Sequence, residues 1–220
     1  MVILRDIPPP ERSPRWKRRK EARPSEILEA ALAAFTEKGL AGARMDDIAR
    51  RAGVTKGTLY LYFKSKDDLF RALLSESFGE RLRFARDLVD RFDGSSAELL
   101  ATILRVVGDF VATTDHVALP KLVIGEIQNF PELHRFYREE VIDRGMGVWS
   151  AILERGIARG EFRPVAVEHV IRICIAPVLL AAIWRTLFES FDDEPYDVRA
   201  MIETHIDILL RGLAPEGEKR

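Results

Sequence analysis

Residues 53–63, GVTKGTLYLYF, combine two glycines with three aromatic side chains. Free protein surface rarely carries so many rings, and glycine disfavours a stable buried helix. Gly53 can supply the left-handed backbone that a tight turn between two helices needs, and Thr55 is a favourable N-cap residue. The stretch therefore predicts a turn followed by a short helix that ends near Phe63.

The preceding sequence supplies two further helices, so that the stretch completes a helix-turn-helix. Apolar residues recur at helical spacing over residues 27–35, and Gly39 is expected to end this first helix. A second helix is predicted over residues 45–52, and Gly53 would close it. In the third helix Leu59 and Phe63 are four residues apart, so we expect both to face the core.

The remaining side chains of the third helix are left on its outer side, where they suit DNA. A helix in the major groove reads bases mainly through its N-terminal residues, while neighbouring groups hold phosphate. Leu61 could contact a thymine methyl group. Alternatively, the two tyrosine rings could pack against the first and fourth helices. The candidate DNA-binding residues are Thr55, Lys56, Gly57, Thr58, Tyr60, Leu61 and Tyr62.

Residues 25–70 closely resemble the DNA-binding domain of the TetR/AcrR family of bacterial regulators. The resemblance rests on A-x-x-x-F-x-x-x-G at residues 31–39, I-A at 48–49, A-G-V at 52–54, K-G-T-L-Y-x-Y-F at 56–63 and K-x-x-L at 66–69. It implies a homodimer whose paired heads bind a near-palindromic operator in double-stranded DNA. It also implies that Lys66, at the start of a fourth helix, holds a phosphate. Arg44 stands where the family usually has Ser or Thr; it is a poor N-cap but can bind phosphate.

Charge is distributed unevenly along the chain. Residues 1–66 carry 15 Lys and Arg against 8 Asp and Glu, whereas the remainder carries 19 against 27. This asymmetry suggests a polyanion-binding head on an acidic body. Residues 1–22 contain four prolines and a basic cluster, and we expect a flexible basic arm there. The arm could hold phosphates or be only a solvated tail.

The rest of the chain predicts further helices and no strand, so the fold class is all-α with about nine helices. The expected division is a helix-turn-helix domain at 23–68, an effector-binding and dimerisation domain at 69–214, and a tail at 215–220. The most apolar stretch, residues 173–184, is shorter than the roughly 20 residues that a membrane helix needs. We therefore predict a buried helix and no membrane partner.

The helix predicted over residues 164–191 carries more apolar surface than a one-sided helix requires, and the last predicted helix carries an apolar stripe. They are expected to form a four-helix interface with a second copy of the chain. The alternative is that they pair as the core of a single chain. The candidate interface residues are Ile171, Cys174, Val178, Ala182, Met201, His205, Ile206 and Leu209.

The resemblance implies that the body binds a small, partly apolar effector. Residues 119–137 are similar to the AefR-like subgroup of these regulators. Each candidate pocket residue could instead be plain core. The candidates are Phe78, Leu82, Phe110, Ile124, Gln128 and Trp149.

Several other function classes have no signature in the sequence. The single cysteine precludes an internal disulfide and fits a reducing cytoplasm. There is no paired cysteine or H-x-x-x-H spacing, so neither a metal nor a cofactor is predicted. No nucleophile elbow, P-loop or dinucleotide fingerprint indicates an enzyme. The leading prediction is a cytoplasmic, ligand-released repressor; the alternatives are a helical enzyme with an incidental basic head and a non-specific DNA binder.

Overall fold

The computed structural model describes residues 15–126 and 129–215, and all regular secondary structure within those ranges is helical. The described residues form nine helices, because π-helical turns at Ser75–Gly79 and Arg138–Asp143 each join two segments into one helix. The all-α prediction and the expected number of helices are confirmed. The helices are α1 (Arg15–Gly42), α2 (Met45–Arg51), α3 (Lys56–Tyr62), α4 (Lys66–Leu74 and Glu80–Arg91), α5 (Ser96–Thr113), α6 (Ala118–Glu126), α7 (Pro131–Tyr137 and Arg144–Ala158), α8 (Val167–Leu187) and α9 (Val198–Leu213).

Helices α1 to α3 and the first half of α4 form the head around one apolar core. Phe35, Ile48, Leu59 and Phe70 are almost completely buried in it. The rings of Phe35 and Phe70 meet edge to face with their centroids 5.5 Å apart. Since burying each such side chain contributes roughly 1.5–3 kcal/mol, this core holds α3, which would be marginal as an isolated helix.

The turns between the first helices follow the predicted chemistry. Gly39 breaks α1 with a φ of 72°, and Gly53 makes the turn after α2 with a φ of 65°. Both angles lie in the left-handed region that favours glycine. Thr55 caps α3, since its hydroxyl accepts a hydrogen bond from the Thr58 backbone N–H at 3.1 Å. The helix-turn-helix therefore has the local geometry that the sequence indicated.

Helix α1 begins earlier than expected. Its backbone is helical from Arg15, so residues 15–22 belong to a helix and not to an irregular arm. The prolines that argued against a helix lie at positions 8–10 and 14, all before this start. Proline is compatible with the beginning of a helix because the first N–H groups have no partner there. The rest of the predicted arm, residues 1–14, and the tail residues 216–220 lie outside the described ranges.

Head and body share helices, so no linker separates them at the predicted boundary between residues 68 and 69. Leu69 and Leu74 of α4 lie in the head core, whereas Val89 of the same helix lies in the body core. From α6, Leu119 and Val123 also pack in the head core. A shift of α4 or α6 must therefore displace the head.

The predicted dimer residues mostly face the core of their own chain. The alternative interpretation, a helix pair inside one chain, is right for these side chains. The reason is that α8 is apolar around most of its circumference, so its composition did not reveal which side faces inward. Buried in the single chain are Ile171, Cys174, Val178, Ala182, His205, Ile206 and Leu209, while Met201 is half-buried against the same core.

Burial also settles the chemistry of the cysteine. It raises the pKa of the Cys174 thiol to about 12, so the thiol stays protonated at neutral pH. The His205 Nε2–H donates to the Cys174 carbonyl at 3.2 Å, which joins α9 to α8. Cys174 is therefore an inert packing residue.

The outward side of α8 carries a second apolar stripe, formed by Ile173, Leu180, Trp184 and Leu187, which are all exposed. These positions follow spacings of seven, four and three residues and so lie on one side of the helix. By length and composition α8 could cross a membrane, and 33% of its most apolar window is buried inside the chain. The outward stripe is the part of this helix that the chain itself leaves uncovered.

Candidate nucleic-acid interface and effector cavity

Helix α3 presents a mixed polar and apolar surface on the side opposite the head core. Leu59 is fully buried and Phe63 is 8% exposed, so the predicted core role of both is confirmed. Lys56 and Gly57 are exposed, and Tyr60 is 41% exposed. Leu61 is 80% exposed, which gives it no packing role. Such an outward leucine is available for an apolar contact such as a thymine methyl group.

Lys56 is held in a defined position before any DNA arrives. Its Nζ lies 2.8 Å from Asp46 Oδ1 and 6.0 Å from the centre of the Tyr60 ring. The hydrogen bond to Asp46 raises the pKa of Lys56, so the ammonium stays charged at neutral pH. Sequence reasoning missed Asp46 as a partner, because a contact across the turn between two helices appears only in three dimensions.

The neighbouring candidates divide between free and packed side chains. Arg44 has an extended backbone and no capping hydrogen bond, and its guanidinium has no partner among the described residues. It is thus a free cation at the start of α2, as a phosphate-binding residue should be. The Tyr62 ring is half-buried against the head core, 6.5 Å from the Phe63 ring, so the packing alternative is right for that ring. Thr58 is half-buried, and its hydroxyl lies 2.9 Å from that of Thr55.

Lys66 differs from the expectation. Its ammonium donates hydrogen bonds to the carbonyls of Ala41 at 3.0 Å and Ala43 at 3.2 Å. Two of its three N–H donors are therefore used by carbonyls at the end of α1 and just after it. The structure thus gives the Lys66 side chain an internal role, and its third N–H donor together with the backbone at the start of α4 is left to meet a phosphate.

Lys66→Ala is expected to lower the free energy of unfolding by about 1–2 kcal/mol, because two charge-assisted hydrogen bonds are lost at a half-buried site. Urea denaturation followed by circular dichroism measures the change. Lys64→Ala is the matched control, since the Lys64 side chain is exposed and has no partner in the described parts of the chain. Equal stabilities of the two variants would contradict a stabilising role of the Lys66 hydrogen bonds.

A cavity of about 240 Å³ lies in the body between α4, α5, α6, α7 and α8. Phe78, Leu82, Phe110 and Trp149 line it, so four of the six predicted pocket residues come together. Ile124 does not: it is 57% exposed and is not among the residues that line the cavity. Gln128 lies outside the described residues. No group of His, Cys, Asp and Glu suited to a metal ion occurs in the described ranges.

A polar cluster adjoins the cavity at the π turn of α4 (Ser75–Gly79). Arg81, which lines the cavity, donates to the Ser77 carbonyl at 2.6 Å and lies 4.3 Å from the centre of the Phe110 ring. Burial and then the charge of Arg81 lower the pKa of His116, which stays neutral. The Ser77 hydroxyl donates to the Leu73 carbonyl at 2.6 Å and so can accept from His116 Nδ1–H. No sequence signal pointed to this cluster, since His116 and Ser77 are far apart in the chain.

The head and the body each match a known family description. "Bacterial regulatory proteins, tetR family" matches residues 27–73, and "Tetracyclin repressor-like, C-terminal domain" matches residues 93–198. The chain is also 30% identical over 193 residues to the uncharacterized HTH-type transcriptional regulator YfiR of Bacillus subtilis, which covers 86% of this chain and 90% of YfiR. The chain belongs to the TetR family of bacterial regulatory proteins.

Two further relatives of this TetR-family regulator have solved structures. The transcriptional repressor KstR2 of Mycobacterium tuberculosis is 29% identical over 199 residues, covering 89% of this chain and 95% of KstR2. Its structure, that of a ketosteroid transcriptional regulator, aligns with a TM-score of 0.71 over 88% of this chain and 96% of KstR2. The regulator FadR of Bacillus subtilis, solved in complex with stearoyl-CoA, is 23% identical and shares the fold with a TM-score of 0.71 over 86% of this chain and 98% of FadR. This TetR-family protein is accordingly a DNA-binding transcriptional regulator.

Proposed function

We propose that this TetR-family protein is a cytoplasmic repressor that acts by binding alone, without catalysis. As a homodimer it would bind a near-palindromic operator and leave it when an effector fills the body cavity. The observation that carries the proposal is that the walls of the cavity continue into the core of the head. A movement of these walls would therefore be transmitted to the core that holds α3.

The first connection is α4. Phe78 lines the cavity from the π turn of α4. Such turns are local interruptions of the α-helical hydrogen bonding and often occur at functional sites. The segment before the turn carries Leu69, Leu73 and Leu74 into the head core. Pressure on Phe78 would therefore tilt this segment together with the head.

The second connection is α6. Pro120 lines the cavity, while Leu119, Leu122 and Val123 of the same helix pack in the head core. A ligand that favours one arrangement of α4 and α6 shifts the population of head positions by its difference in affinity for the two states. Two recognition helices that fit successive major grooves, roughly 34–36 Å apart, lose the operator when this spacing changes.

Dimerisation would use the outward stripe of α8 defined above, in place of the inward residues that the sequence suggested. A stable dimer buries about 800 Å² on each partner. Just beyond the helix Phe188 packs against Trp184 with ring centroids 5.1 Å apart, and Phe188 and Phe191 are 46% and 84% exposed. Solvent-exposed aromatic and aliphatic side chains in one continuous row support a contact with a second copy.

The effector is proposed to be largely apolar. All but two of the side chains that line the described cavity have no polar atoms. The relative KstR2, a ketosteroid regulator and repressor, supports an apolar effector and a repressing role. The similarity of residues 119–137 to the AefR-like subgroup is part of the same proposal.

The test of operator recognition is a selection from random DNA with the full-length protein. We expect a near-palindromic site whose complex survives roughly 10³-fold excess of unrelated DNA, as specific regulators do. Selected sites without an inverted repeat, or equal competition by unrelated DNA, would instead favour the non-specific binder. Operator release by a cavity ligand is measured by fluorescence anisotropy of the labelled site.

A further inference from the structure

The polar groups that line the cavity are all hydrogen-bond donors. Among the lining side chains of the described cavity, only Arg81 and Trp149 carry polar atoms. A guanidinium and an indole N–H donate hydrogen bonds and accept none. The lining side chains that the structure describes include no carboxylate, amide or hydroxyl group. A ligand that fits this wall must therefore bring its own acceptors.

Arg81 lies at the rim of the cavity, and most of its N–H groups make no hydrogen bond to a described residue. The residue is exposed, and no carboxylate pairs with it among the described residues. One N–H reaches the Ser77 carbonyl, and the face of the Phe110 ring fixes the guanidinium plane. The remaining N–H groups have no partner in the described parts of the chain. Holding the π turn requires one donor and the Phe110 ring covers one face of the guanidinium, so the remaining N–H groups are available to an anion.

Trp149 provides a second donor in the wall. The residue is only 6% exposed, and its indole N–H makes no hydrogen bond to any described residue. This nitrogen is not among the fully buried unpaired polar atoms of the described residues, so it is open to a hydrogen-bond acceptor. His116, which also lies against Phe110, is neutral and adds no charge to this region. Arg81 therefore determines the sign of charge that the cavity favours.

These observations exclude whole classes of compound by charge. An amine would meet a like charge and donors only, so its ammonium would be desolvated without a partner. A hydrocarbon would fill the apolar part but leave Arg81 unused. An anion attached to an apolar body matches both features, because a carboxylate or phosphate accepts several hydrogen bonds from one guanidinium.

We propose that the effector is an apolar acid, with its hydrophobic body inside the cavity and its anionic group paired with Arg81 at the rim. The inference rests on the proposed function only in treating this cavity as the effector site. The anionic group can come from a free carboxylic acid or from the phosphates of an acyl thioester of coenzyme A. Both sources share the same chemistry, and the experiment separates them.

Isothermal titration calorimetry on the full-length protein without DNA tests the proposal with four ten-carbon probes: decanoate, decanoyl-CoA, decanol and decylamine. We expect at least one of the two acids to bind more tightly than decanol and decylamine. Tighter binding of decanoate assigns a free acid, and tighter binding of decanoyl-CoA assigns the thioester. Absence of binding by both acids, or equal binding of decylamine, overturns the proposal.

Two variants then test whether Arg81 binds the anionic group. Arg81→Gln keeps a hydrogen-bond donor but loses the charge, and it is expected to weaken binding of the acid about 10- to 100-fold and to leave decanol unchanged. Arg81→Lys keeps the charge and should retain part of the affinity. Unfolding curves establish that both variants fold. An unchanged affinity for the acid in Arg81→Gln overturns the inference.

The two proposals fail separately. An acid that binds through Arg81 without releasing the operator supports the ligand class and contradicts ligand-released repression. A neutral compound that releases the operator equally from the unaltered protein and from Arg81→Gln supports the repressor and overturns the apolar acid.

Discussion

Leu180→Glu is expected to convert the protein from a dimer into a monomer. Leu180 is 61% exposed in the single chain and lies in the middle of the outward stripe of α8. If a second copy covers this stripe, the variant places a carboxylate in an apolar interface. The loss of affinity between subunits should be at least about 100-fold, equivalent to about 2.8 kcal/mol. Size-exclusion chromatography with light scattering at micromolar concentration measures it.

Ile124→Glu is the matched control for this change. Ile124 is 57% exposed, nearly the same as Leu180, but it lies on α6 and is not part of the stripe. The substitution is chemically equivalent, and we expect the dimer to persist. A Leu180→Glu variant that stays dimeric, or an Ile124→Glu variant that dissociates, contradicts the assigned interface.

Loss of the dimer should also remove tight operator binding. Two heads on one dimer engage two half-sites, so the second contact forms at a high effective concentration. Losing this advantage typically costs 10²–10⁴ in affinity. The monomeric variant should still bind a single half-site weakly, because its α3 surface is untouched. Anisotropy titrations on full and half operators separate these two effects.

The helix-turn-helix could be predicted from the sequence because local chemistry determines it. A positive φ at Gly53, a capping hydroxyl at Thr55 and the four-residue spacing of Leu59 and Phe63 each act within a few residues. Such features are visible in the order of the residues. They also identify which side of α3 remains free, and this side is the candidate DNA-binding surface.

Features that depend on how distant helices meet could not be predicted in the same way. Helix α8 is apolar on two sides, and only its contacts with the body core show that Cys174 faces inward and Leu180 outward. Lys66 was assigned to phosphate because nothing local reveals the carbonyls that receive its hydrogen bonds. The cavity is a space between helices, so a residue such as Ile124 can have the right apolar character and still lie outside it.

Tyr60→Ala in α3 is expected to lower operator affinity about 5- to 150-fold, equivalent to about 1–3 kcal/mol, the range for one specific groove contact. Tyr60 is 41% exposed, so its removal should leave the fold intact. The measurements are operator anisotropy, a thermal unfolding curve and light scattering. A large loss of stability would instead assign Tyr60 to the core.

Lys56→Ala tests the same surface through the salt dependence of operator binding. If Lys56 holds a phosphate, its loss should flatten the dependence of log affinity on log salt by about 0.9. Lys121→Ala removes the same charge from α6 and should leave the slope unchanged. The Asp46 ion pair does not reverse this expectation, because exposed pairs contribute little and a phosphate replaces the carboxylate in the complex. Unchanged operator binding in both Tyr60→Ala and Lys56→Ala would show that α3 is not the recognition helix. A change in the salt dependence that is confined to Lys56→Ala would separate the phosphate contact from the reading of bases.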